Sequence, residues 1–244
     1  MLDNLILSLQ YPNGQTRKTC HQAIERLVCM PEQILSYEIL EEFIIPVLLN
    51  LCAVDRIADE VKSDSLSCLI RLVGMQKTNI SNNPTGQITS RQYAVQSPHV
   101  KTQILRTWLE QSAIALSYDG FDHNPLSSGS SMLSPTSSFH LRQLCASLTP
   151  HLVQQMNAVQ IEEDVVPRLV ELAGDNVWGV RKAVAEILSE ITKKCLKKAR
   201  KEKLTKVFQD LLEDRSRWVR MAAYHNLAGF ISSLSAEEPV CEVM

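Results

Sequence analysis

The side chains of this 244-residue sequence that could do chemistry are scattered rather than clustered. Six histidines (His21, His99, His123, His140, His151 and His225) show neither an HExxH pair nor any other metal-ligand spacing, so no metal site is expected. Seven cysteines (Cys20, Cys29, Cys52, Cys68, Cys145, Cys195 and Cys241) lie in apolar stretches without a CxxC pair. An odd, unpaired set of that kind reads as small core residues of a reducing compartment, not as a disulfide framework or zinc site. The acidic groups EILEEF and IEED sit on helical stretches as solvated surface, and nothing places them in a cleft suited to acid–base work. GxxxxGK[ST], GxGxxG and GxSxG are all absent, so nucleotide binding and elbow-type hydrolysis find no support. No catalytic residue, cofactor or small-molecule substrate is expected.

Two sets of residues are suited to binding instead. The run KKCLKKARKEKLTK carries Lys193, Lys194, Lys197, Lys198, Arg200, Lys201 and Lys203 with a single acid. It reads as a solvated surface, a nuclear-localisation patch or a dock for an acidic partner; without interleaved aromatics, nucleic acid is the weakest reading. The second set is Trp178 with Arg181 and Lys182, and Arg217 with Trp218 and Arg220. A tryptophan beside arginine at a turn is either a seam between packed elements or an interface hot spot, and these six residues are the candidate partner contacts.

The elements that position them follow from spacing. AGDNVWGVRKAVAEIL (173–188) and LEDRSRWVRMAAYHNL (212–227) place Val180-Arg181 and Val219-Arg220 39 residues apart. The same kind of pair recurs upstream at Leu141-Arg142, Val100-Lys101, Val61-Lys62 and Thr16-Arg17, at intervals of 39, 41, 39 and 45. That period lies at the edge of the HEAT and armadillo range. Each unit reads as two amphipathic helices. EDVVPRLVELAGD has an i, i+3, i+4 apolar stripe, with Pro167 in its first turn. Asp175 and Asn176 suit the turn, and VRKAVAEILSEIT carries the second stripe. Neither helix alone buries its stripe, whereas stacked pairs do. The aspartate before each second helix falls within reach of the arginine of an adjacent unit, an expected structural ladder.

The expected fold class is therefore all-α, a HEAT/armadillo-type α-solenoid of about five to six irregular helix pairs. Repeats are expected over 1–75 and 139–235, a flexible loop over 76–99, a repeat helix over 100–117, a Ser-rich disordered insertion over 118–138 and a tail over 236–244. Ser97-Pro98 and Ser134-Pro135 are proline-directed phosphosite dipeptides of a kind common in loops. No apolar run reaches the roughly 18 residues of a membrane span, and MLDNLILSLQ has no basic n-region. A net charge of −2 gives no global pull toward nucleic acid or an anionic membrane. The chain opens in mid-repeat, as a fragment or isoform lacking its cap repeats would.

At DNVWGVRKA and SRWVRMAA the sequence resembles regulatory subunit 1 of serine/threonine protein phosphatase 4. More distantly it is similar to the HEAT-repeat scaffold subunit of protein phosphatase 2A. NGQTRKTCHQAIERL, FHLRQLCA and the stretch from LTPHLV to VVPRLVELAGDNVWGVRK agree with it. The resemblance implies a non-catalytic scaffold that binds a serine/threonine phosphatase catalytic subunit and directs it to phosphoprotein substrates. It places the protein in the cytoplasm, with the nucleus as a second address. The repeat by itself implies a protein-binding adaptor, for which nuclear transport is the alternative role.

Overall fold

The computed structural model describes residues 2–9, 13–29, 36–54, 57–80, 88–118 and 135–237, and the chain divides into two compact units, 1–108 and 109–244. The fold class is all-α, of HEAT/armadillo type, with one hairpin added. Ten helices are described: α1 (Leu2–Leu9), α2 (Gly14–Cys29), α3 (37–53), α4 (Asp59–Gly74), α5 (Pro98–Tyr118), α6 (Pro135–Leu152), α7 (158–173), α8 (Trp178–Lys194), α9 (197–212) and α10 (Arg217–Leu234). In the first unit α1 packs on α2, and both α2 and α3 pack on α4. In the second unit α6, α8 and α10 pack in series as second helices of the repeat, with α7 and α9 beside them as first helices.

The cores come from the two stripes. Ile161, Val165, Val166, Leu169 and Leu172 of α7 are buried against Val180, Ala183, Val184, Leu188 and Ile191 of α8. Burial of each larger side chain stabilises the pair by roughly 1.5–3 kcal/mol. The small Ala183 and Ala185 let the backbones of neighbouring helices come close. In the last pair the rings of Phe208 and Phe230 stack with centroids 4.0 Å apart, closing α9 onto α10.

The first helices are longer than their sequences suggest, and each contains one wide turn. Helix α7 begins at Ala158, where Asn157 and Gln160 form a reciprocal capping box. Pro167 therefore lies inside a continuous helix instead of in its first turn. The clash of a proline ring with the carbonyl four residues back is relieved because Val166 N–H donates to Ile161 O, five residues back. The same device precedes Pro46 in α3, from Ile45 to Leu40. It recurs in α9 without a proline, where Thr205 N–H and its hydroxyl both turn to Arg200 O.

Two expectations for the insertions need correction. Within 76–99 the chain forms an antiparallel hairpin of β1 (Gln76–Ile80) and β2 (Ile88–Tyr93), tied on by Ala94 N–H to Met75 O. The β-branched Thr78, Ile80, Ile88 and Thr89 favour strand, a local preference that the Asn- and Ser-rich composition of the segment masks. Pro135 to Ser138 belong to α6 and not to the insertion, because proline suits the first position of a helix. Ser134 lies outside the described residues. Ser97 precedes α5, where its N–H and that of Gln96 both donate to Glu41 Oε1.

Candidate functional site

The ladder positions everything on the second helices. At the turn between α7 and α8, Asp175 Oδ1 accepts Val177 N–H and so shapes the turn. The same carboxylate takes a two-pronged bond from Arg142 of α6, with Nε to Oδ2 at 2.5 Å and Nη2 to Oδ1 at 3.1 Å. One repeat on, Asp214 Oδ1 accepts Ser216 N–H, and Arg181 of α8 grips Asp214 at 2.6 and 2.9 Å. The first unit holds a looser rung, Arg17 Nη2 to Asp64 at 3.3 Å.

Arg181 is thereby withdrawn from the surface. It is 5% exposed, and its Nη1 caps the carbonyls of Asp175 and Asn176. Its guanidinium is held still more firmly protonated, first by its bond to Asp214, with burial opposing. Asp214 balances differently: burial pushes its carboxyl up, but the bonds from Arg181 and the Ser216 amide outweigh that and hold it below the ordinary range.

The remaining predicted contacts stay on the surface. Trp178 and Trp218 are 47% and 46% exposed, so neither fills a seam. Arg217 stacks its guanidinium 4.4 Å from the Trp218 ring centroid. Arg220 is half-buried, with Nη1 on the carbonyls of Asp214 and Arg215. Lys182 pairs with Glu186 one turn along α8.

Trp218 and Lys182 meet across a groove of about 330 Å³ between α8 and α10, floored by Ala222 and flanked by Met221, His225 and Asn226. Met221 is 46% exposed. His225 donates Nδ1–H to Met221 O, and Asn226 donates to Ala222 O. Glu186, Met221 and His225 were not singled out from sequence. The available signal was helical: Met221 and His225 stand three and seven residues after Trp218, on one face. An apolar side chain ringed by a few polar groups suits capture of a protein side chain.

The basic run divides. Lys193, Lys197, Lys198, Lys201 and Lys203 are exposed and Lys194 is half-buried. Arg200 is fully buried, a correction to its place in a surface patch. Its three nitrogens donate to the carbonyls of Cys195 and Lys193 at the end of α8, and of Ser233, Ala236 and Glu237 at the end of α10. One guanidinium thus satisfies the orphan carbonyls of two helix ends.

Five thiols are among the described residues, and their surroundings disfavour the nucleophilic thiolate. Cys20, Cys52, Cys68, Cys145 and Cys195 are buried, and burial pushes the Cys52 and Cys195 thiols up to about 12 and raises those of Cys20 and Cys68. Among the described residues, no cluster of three or more His, Cys, Asp or Glu is arranged to hold a metal. Among them, too, no helix is long and apolar enough to cross a membrane.

Comparison with known proteins fits this architecture. A family model described as HEAT repeats matches residues 151–228. The chain is 27% identical over 235 residues, 96% of its length, to serine/threonine-protein phosphatase 4 regulatory subunit 1 of Mus musculus, and equally to that of Homo sapiens. It spans about a fifth of the length of these relatives. Among solved structures, a designed armadillo repeat protein in complex with the peptide (KR)4 is similar over 94% of this chain and 81% of its own, at 13% identity and a TM-score of 0.49. The chain is an all-α helical-repeat protein whose residues 151–228 match HEAT repeats.

Proposed function

We propose that the chain is a non-catalytic scaffold that binds a serine/threonine phosphatase catalytic subunit of the phosphatase 4 type and directs it to phosphoprotein substrates. The observation that carries the reading is the groove between α8 and α10, where exposed Trp218 and Met221 lie beside Lys182, Arg217 and His225. A large aromatic with an arginine stacked on it is the composition of an interface hot spot. The similarity to phosphatase 4 regulatory subunits along 96% of the chain supports the choice of partner. The buried ladder supports the mechanism, which is positional: Arg142–Asp175 and Arg181–Asp214 hold successive second helices at fixed spacing. The groove is then presented preformed, and little entropy is lost in ordering it.

The test uses the full chain and purified phosphatase 4 catalytic subunit in a binding titration, with a Trp218→Ala/Met221→Ala variant in parallel. Both side chains are about half exposed, so the variant keeps its helical circular dichroism while its affinity falls at least about tenfold. Failure of the unaltered chain to bind, or full binding by the variant, overturns the reading.

A further inference from the structure

The surface around the start of α9 is inverted in charge relative to the start of α7. A shift of 39 residues carries Ile161, Val165 and Leu169 of α7 onto Arg200, Leu204 and Phe208 of α9, and all six are buried. The positions that make the fold therefore correspond. The same shift carries Gln154, Ala158, Val159, Glu162 and Asp164 onto Lys193, Lys197, Lys198, Lys201 and Lys203. These five lysines are all exposed. On a matching buried frame, two acids and three uncharged residues are replaced by five cations.

The fold gains nothing from them. Lys197 and Lys198 lie in the first turn of α9, with Lys201 in the next, at the positive end of the helix dipole, where a cation is unfavourable. Lys193 stands in the last turn of α8, but buried Arg200 already donates to the carbonyls of Lys193 and Cys195 there. The same guanidinium holds the start of α9 against the end of α8, so the lysines of both helix ends share one patch. Glu162 reaches this end from α7 and spends Oε1 on Leu196 N–H, at 2.6 Å. Among the described residues, Lys193, Lys198, Lys201 and Lys203 form no ion pair. A local electrostatic rule broken without local compensation is the pattern of a functional surface.

We infer that Lys193, Lys197, Lys198, Lys201 and Lys203 form a docking surface for an Asp/Glu-rich segment of a partner protein. The whole chain carries a net charge of −2, so the attraction is local to this patch and not a general field. The arginine of the run, whose planar fork would demand a fixed geometry, is buried. The exposed ammoniums are point charges on flexible stems, which suit a flexible acidic segment. Nucleic acid fits less well, because Phe208, the one aromatic residue of 193–212, is buried and no stacking platform accompanies the lysines. An anionic membrane also fits less well, because Cys195, Ala199, Leu204 and Val207 are buried and supply no apolar anchor. The inference stands apart from the phosphatase reading, since it involves none of the groove side chains.

The test titrates the full chain into a fluorescent, disordered peptide of alternating Glu and Ser, at about 0.05 M and about 0.15 M salt. A counterpart peptide with Gln in place of Glu, a short DNA duplex and vesicles of phosphatidylserine with phosphatidylcholine are run beside it. The Glu peptide is expected to bind, more weakly at the higher salt, and the Gln peptide to stay unbound. Lys198→Glu/Lys201→Glu lowers the affinity at least about tenfold, whereas Lys182→Glu/Arg217→Glu, at the groove, leaves it unchanged. A carboxylate suits the start of a helix, so the first variant keeps or raises the unfolding midpoint. A lowered midpoint would assign the lysines to the fold and overturn the inference. Absence of binding, tighter binding to the duplex or the vesicles, or an equal loss in the groove variant overturns it as well.

Discussion

Arg181 on α8 and Asp214 before α10, 33 residues apart in the chain, are joined by two parallel hydrogen bonds of 2.6 and 2.9 Å with both side chains more than nine-tenths buried. Removing one member of such a pair strands the other charge away from water, which costs far more than the intact pair contributes. Asp214→Asn is expected to destabilise the second unit by about 3 kcal/mol, the low end of the range for a broken buried pair. Asp175→Asn costs more, since Arg142 and Asp175 are 0% and 1% exposed. Urea unfolding of the two variants checks both the magnitude and the order, and equal costs would refute the link to burial.

The same pair sets an acid limit. The folded-state carboxyl of Asp214 is held below its ordinary value, so its contribution is present above the unfolded value near pH 4 and is lost as pH falls through the lower folded value. Asp214→Asn is expected to flatten the stability profile below about pH 4 and to leave its slope at neutral pH unchanged. Unfolding midpoints measured from pH 7 to 2 decide this.

A separate window belongs to His21 in the first unit. Burial holds its imidazole down at about 4, with the nearby Arg17 charge adding to the effect and Asp64 opposing it, and its Nε2 has no hydrogen-bond partner. The folded state keeps this ring neutral while the unfolded chain protonates it near pH 6.5. Stability is therefore complete above pH 6.5 and falls as pH drops toward 4, by roughly 3 kcal/mol over the window. His21→Phe, of similar shape and without a titration, is expected to abolish that slope. A slope that survives the substitution would assign it to other groups.

What sequence spacing revealed, and what it did not, divides along side-chain and main-chain lines. The 39-residue offset located Arg142 and Arg181 and the aspartates opposite them, Asp175 and Asp214, because both ends of each rung are side chains that recur with the repeat. It did not show that Arg181 is buried, since a β-branched residue followed by arginine looks alike on a surface and in a ladder. The wide turns at Leu40–Ile44, Ile161–Val165 and Arg200–Leu204 were hidden for another reason. They are main-chain events, and in α9 not even a proline marks the place. The groove was half legible: Trp218 stood out by type, whereas Met221 and His225 gain meaning only once α8 is seen alongside.

Arg200 shows how much a main-chain role can hide among like charges. In sequence it is one cation in a lysine-rich run, yet its five bonds all end on carbonyls of two helix ends, at 2.7 to 3.2 Å. Carbonyls carry no sequence signature, so nothing distinguishes this residue from Lys198 or Lys201 before folding. A lysine ammonium keeps the charge but offers a compact point of donors that cannot span both helix ends. Arg200→Lys is accordingly expected to cost about 3 kcal/mol, as several charged hydrogen bonds are lost and buried carbonyls go unsatisfied. Lys198→Ala and Lys201→Ala, on the exposed side of the same helix, change stability by less than about 0.5 kcal/mol. Amide exchange gives the more specific check: in Arg200→Lys the last turns of α8 and α10 fray together, because one side chain holds both. Fraying confined to α8 would show that the bonds to Ser233, Ala236 and Glu237 carry no weight, and would leave Arg200 a cap of its own repeat alone.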